Sequence, residues 1–83
     1  MSLRVEWHPD ARRSLLSLGW RDASKVDNAV QSFAANGFGE VRRLRTGEGI
    51  ELRLRVDPFR VRMSVDQTMG TLHVWSVRRR SSA

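Results

Sequence analysis

Residues 50–65 read IELRLRVDPFRVRMSV, and no other segment restricts the fold so tightly. Side chains along a β-strand alternate between its two faces. In the first half Leu52, Leu54 and Val56 point one way, and Glu51, Arg53 and Arg55 point the other. After Asp57-Pro58 the alternation resumes, with Val61, Met63 and Val65 against Arg60 and Arg62. The pattern predicts two half-buried strands joined by a tight turn. One face packs on a core; the other carries a row of guanidinium groups.

The flanking segments complete the set of elements. Leu3–Trp7 alternates Leu3, Val5 and Trp7 against Arg4 and Glu6, a short first strand. A helix then starts at Pro9, whose missing N–H suits the first helical position. His8 stands at the helix start. Asp10 favours the positive helix end, and Ala11, Leu15 and Leu18 form a buried stripe that Gly19 ends. Trp20 is expected to pack across that break. A second helix, capped by Asp22 or Ser24, places Val26, Ala29, Val30 and Phe33 on its apolar face and stops at Asn36-Gly37. The short connection predicts an antiparallel helical hairpin. Val41 and Leu44 suggest a further short strand between glycine turns. Thr71–Val77 is the last strand, rich in β-branched and aromatic residues. There Leu72 and Val74 face the core, and His73, Trp75 and Val77 face the other way. The three tryptophans are expected to act as core anchors. The whole is one α+β domain, residues 1–83: an N-terminal strand, a helical hairpin and a mainly antiparallel sheet.

Composition narrows the partners. A chain of 83 residues buries only about 60–65% of its unfolded surface, so it has one modest core. It contains no cysteine, which removes disulfides and thiolate metal sites. No apolar run reaches a membrane span, and MSLRVEWHPD has no signal-peptide core; the expectation is a cytoplasmic protein without membrane contact. Net charge is +6, and all but one of the 15 basic residues are arginine, Lys25 being the exception. Arginine presents a planar fork that matches phosphate oxygens and stacks on bases. A basic domain of this kind attracts nucleic acid or an acidic protein partner. His8 and His73, far apart in sequence, and the scattered acids show no metal-ligand spacing, and no cofactor is expected.

The order of elements, with LRLRVDPFRVRM, the terminal VWSVRRR and the opening VEWHPDARRSLLSL, resembles the RelE/ParE toxin superfamily over nearly the whole chain. The resemblance implies a fold like that of small microbial ribonucleases and a toxin of a type II toxin–antitoxin pair. In the RelE branch such toxins cut mRNA in the ribosomal A site; in the ParE branch they poison DNA gyrase. By position the RelE branch's functional basic residues become Arg53, Arg55, Arg60 and Arg80. A RelE-type lysine thought to act in proton transfer falls on Glu51. Arg62, Arg78, Arg79 and Phe59 are the further RNA-binding candidates, Phe59 as a base-stacking ring or a core residue. The RelE branch places an aromatic hydroxyl residue after the last strand, and this sequence has no tyrosine.

Cleavage of this type is attack of a ribose 2′-OH on the adjacent phosphate. It needs a base, an acid and positive charge around the phosphate. Arginine supplies the charge but stays protonated. Glu51, on the face of Arg53 and Arg55, is the first candidate base, with a plain salt bridge as its other role. His73 is the second, with a structural role as its alternative. The expected partners are mRNA on the ribosome and an antitoxin with an acidic or amphipathic segment. The alternatives are a ParE-like gyrase inhibitor and a catalytically decayed basic RNA-binding or interaction protein.

Overall fold

The computed structural model describes residues 2–47 and 49–80. Along the chain run β1 (Arg4–Trp7), α1 (Pro9–Ser17), α2 (Trp20–Asn36), β2 (Glu40–Thr46), β3 (Gly49–Val56), β4 (Phe59–Asp66) and β5 (Thr71–Arg79). The five strands form one sheet in the order β1-β5-β4-β3-β2. Only β1 lies parallel to its neighbour, with Arg4 opposite Thr71 and Trp7 opposite Val74; the other pairings are antiparallel. The α+β architecture and its mainly antiparallel sheet follow the alternation of the sequence. The two strands of the hairpin keep the faces read above, and they pair with Leu54 opposite Val61, Arg53 opposite Arg62 and Val56 opposite Phe59.

Both helices supply the cover of one sheet face. Ala11 of α1 and Val26, Val30 and Ala34 of α2 are buried with Leu52, Leu54, Val56, Phe59, Val61, Met63, Leu72, Val74 and Val77. Val26, Val30 and Ala34 repeat every four residues and so lie on one helix stripe. Leu15, Leu18, Ala29 and Phe33 pack partly buried at its margin. Gly37 closes α2 in the left-handed region, φ 73°, and its N–H donates to Phe33 O at 2.8 Å, the common glycine ending of a helix. Leu3 N–H donates to Ala34 O at 2.8 Å and ties β1 to the end of α2.

Four expectations need correction. α2 begins at Trp20, with Gly19 as its N-cap and no side-chain cap, because the helices are separated by only Leu18 and Gly19. Trp20 therefore points out of the first turn and is 75% exposed. Trp75 is also exposed, so of the three tryptophans only Trp7 packs against the core cluster. Val77 is buried beside Leu72 and Val74. The cause is a β-bulge: Arg62 pairs with Ser76 but Met63 with Val74, so Trp75 is an extra residue in β5. One inserted residue reverses the face of everything after it.

Candidate nucleic-acid interface

The sheet face away from the helices is open, and arginine covers its middle. β3 contributes Arg53 and Arg55, β4 Arg60 and Arg62, and β5 Arg78. The β2–β3 register adds Arg42 opposite Arg53. Together with Glu40, Val41, Val61 and Ser76 these six arginines line a groove of about 740 Å³. The bulge at Trp75 matters here. With the register reversed beyond it, Val77 turns to the core and Arg78 turns to the groove, opposite Arg60.

Four arginine pairs stand directly across from one another: Arg42 and Arg53, Arg53 and Arg62, Arg55 and Arg60, Arg60 and Arg78. Like charges in that relation destabilise a sheet. Three carboxylates temper the repulsion. Arg53 Nε donates to Glu51 Oε2 at 2.8 Å, and Arg62 Nη1 approaches Glu51 Oε1 at 3.6 Å. Arg55 Nε donates to both Asp57 oxygens at 3.0 and 3.1 Å and lies 3.7 Å from Glu40, while Arg60 Nη1 reaches Asp57 at 3.3 Å. The hydrogen bond from Arg55 holds the Asp57 carboxyl below its usual range, with Arg60 adding to the effect. The same bond deepens the protonated state of Arg55. Among the described residues, six guanidiniums against three carboxylates leave the groove positive.

The groove is fixed from both ends of the β3–β4 turn. The turn is two residues, Asp57 and Pro58, between the paired Val56 and Phe59, and its X-Pro peptide is cis. Lys25 of α2 donates to Asp57 O at 2.7 Å. Arg80 N–H donates to Pro58 O at 2.6 Å, which lays the end of β5 against the same turn.

Of the sequence-predicted site residues, Arg53, Arg55, Arg60, Arg62 and Arg78 are brought into one groove, with Glu51 bonded to two of them. Arg80 is exposed at the turn end of that face. Three others fall elsewhere. Phe59 is 1% exposed and belongs to the core, so its ring is not open for a base to stack on. Arg79 pairs with Phe59 on the helix side of the sheet, its guanidinium 5.2 Å from the ring centroid. His73 sits one strand from the sheet edge, and its Nδ1 lies 2.9 Å from His8 Nε2. Arg42 and Glu40 are groove residues that the sequence did not single out. Their signal was weak, because EVRRLRT carries arginines on both strand faces. The structure also gathers Glu6, His8 and His73, although their sequence spacing suggested no ligand set.

No protein-family model matches the chain, and no curated protein sequence matches it. Solved structures do. A chain of the RelBE2 toxin–antitoxin complex from Mycobacterium tuberculosis is similar with a TM-score of 0.81 at 21% identity, over 96% of this chain and 100% of the other. A chain of the archaeal RelE–RelB complex from Pyrococcus horikoshii OT3 is similar with a TM-score of 0.83 at 22% identity, over 100% of both. The likeness establishes a shared fold, and it runs the full length of the sheet and both helices.

Proposed function

We propose that this protein is the toxin of a type II toxin–antitoxin pair and acts as a ribosome-dependent mRNA endonuclease. The observation that carries the reading is the groove of six arginines, set against one another in four opposed pairs, on the open face of a fold shared with chains of two toxin–antitoxin complexes. Opposed guanidiniums favour an anion between them, since a phosphate removes the repulsion and accepts their hydrogen bonds. In this reading Arg60, Arg78 and Arg80 surround the scissile phosphate and stabilise the charge that develops as the ribose 2′-OH attacks. Arg42, Arg53, Arg55 and Arg62 hold the flanking backbone. Glu51 is the base, held on the groove face by its pairing with Arg53 and Arg62. The antitoxin covers the same face with an acidic or amphipathic segment.

A second reading has its own observation. Glu51 is engaged by two arginines, and His73 lies apart from the groove. A groove whose candidate bases are both occupied suits a binding protein without RNA chemistry, such as a gyrase inhibitor.

The test is cleavage of ribosome-bound mRNA by the wild type and by Arg60→Ala, Arg80→Ala and Arg12→Ala. Loss of one preorganised donor costs about a hundred- to thousand-fold in rate. That loss is expected for Arg60→Ala and Arg80→Ala, with ribosome binding much less affected. Arg12→Ala, an exposed residue of α1, has the same charge change and retains activity. Equal and small effects from all three sink the enzyme reading. Filamentation with DNA damage on expression, without translation arrest, favours the gyrase reading instead.

A further inference from the structure

We propose that Glu6, His8 and His73 form a binding site for a divalent transition cation of the Zn²⁺ type. The site lies at the β1–β5 edge of the sheet, and none of the three residues lines the arginine groove. The proposal is therefore independent of the toxin reading.

Each residue arrives by a different route. Glu6 stands directly beside His73 in the parallel β1–β5 register. His8 is the extended residue just before α1, with its N–H donating to Val74 O at 3.0 Å. One potential ligand atom from each of the three lies within 4.8 Å of the others. His8 Nε2 and His73 Nδ1 are already 2.9 Å apart. Two imidazole nitrogens bound to one tetrahedral zinc at about 2.0–2.1 Å stand about 3.4 Å from each other. The rings need to part by only about half an ångström for the ion to replace the proton they share.

The orientation of the donors is fixed before any ion arrives. The Trp75 ring stacks on His8, centroids 3.9 Å apart and planes 18° from parallel. Trp75 Nε1–H in turn donates to Ser64 Oγ at 2.8 Å. The bulged residue of β5 thus holds the His8 ring against β4. Both histidines are half-buried and Glu6 is exposed, which leaves an entry path from solvent.

The donor set names the ion class. Two neutral imidazoles and a carboxylate are the His₂Glu set of open zinc sites, with further positions left to water. Imidazole nitrogen suits zinc, nickel, copper and iron, whereas magnesium and calcium want oxygen ligands. A bound ion would join β1 to β5, strands 65 residues apart at the His8–His73 contact.

The experiment uses the full chain without a polyhistidine tag, stripped of metal and titrated with Zn²⁺ against a chromophoric chelator. The expected result is saturation at one ion per chain, a rise in Tm with Zn²⁺ but not with Mg²⁺, and a change in tryptophan emission that Trp75→Phe removes. His73→Gln and His8→Gln each abolish the zinc-dependent Tm shift, and Glu6→Gln weakens binding. Should His73→Gln fail to fold, His8→Gln at the helix start carries the same expectation. Co²⁺ added to the wild type provides a readout that needs no variant, a visible spectrum of a low-symmetry nitrogen–oxygen site. Absence of Zn²⁺ binding overturns the proposal. So does binding that is unchanged in both histidine variants, or several ions per chain of equal affinity.

Discussion

Glu51→Gln separates attraction from chemistry in the arginine groove. The Glu51 side chain is 17% exposed and its two oxygens hold Arg53 and Arg62, both about half exposed. The substitution keeps the size of the side chain and removes its charge. Neither arginine is left buried and unpaired, so the stability change stays within about 1 kcal/mol. Two guanidiniums are freed for phosphate. Each added phosphate contact on single-stranded RNA steepens the slope of log affinity against log salt by about 0.7. One or two new contacts therefore steepen it by about 0.7 to 1.4, so that raising salt from about 50 to about 200 mM weakens the variant about 2.6- to 7-fold more than the wild type. The assay is fluorescence anisotropy with a labelled RNA oligonucleotide at several salt concentrations, paired with cleavage of ribosome-bound mRNA. The expected result is tighter binding at low salt together with slower cleavage. An unchanged salt slope refutes the assignment of Glu51 as the group that occupies these arginines. A steeper slope with undiminished cleavage refutes the proposal that Glu51 is the base.

Other perturbations probe the scaffold. Leu54→Ala, at a side chain 1% exposed, costs about 2–5 kcal/mol, read as a lower denaturation midpoint at constant m-value; a change below about 1 kcal/mol contradicts the packing described. Gly39→Ala lowers Tm, because Gly39 has φ 138° and a Cβ there would lie 2.8 Å from Leu54 Cδ1; a Tm equal to wild type contradicts that close approach. The depressed carboxyl of Asp57 stabilises the fold above the unfolded-state pKa of about 3.9, and that contribution is lost as pH falls through the lower folded-state value. Asp57→Asn accordingly has a shallower acid limb of stability as pH falls below the unfolded-state value; superimposable acid limbs for variant and wild type count against the Arg55–Asp57 pairing.

Much of the fold is legible because its signals are local. The strand pair at 50–65 alternates cleanly, and Asp57-Pro58 and Asn36-Gly37 stop their elements where the pattern says they should. The arginine face follows from that alternation alone, since residues two apart share a face whatever lies around them. What the sequence conceals depends on distant pairing. The bulge at Trp75 is set by how β5 meets β4, and LHVWSV is apolar enough to accept either register. That ambiguity hid the burial of Val77. The Glu6–His8–His73 cluster exists only because β1 lies parallel to β5. Phe59 and Arg79 had two plausible sides, and their cross-strand pairing decides it.

The parallel partnership of β1 and β5 also sets an order of events during synthesis. The first strand is made before either helix, yet its neighbour in the sheet begins only at Thr71. Folding of such non-local pairs waits on closing nearly the entire chain. A nascent chain ending between Asp66 and Thr71 has its β2–β3–β4 meander available but no strand to receive Arg4–Trp7. The groove would then lack Ser76 and Arg78, and the turn at Asp57-Pro58 would lack its bond from Arg80. A ribosome making this protein thus carries an incomplete groove until β5 has been translated and has left it.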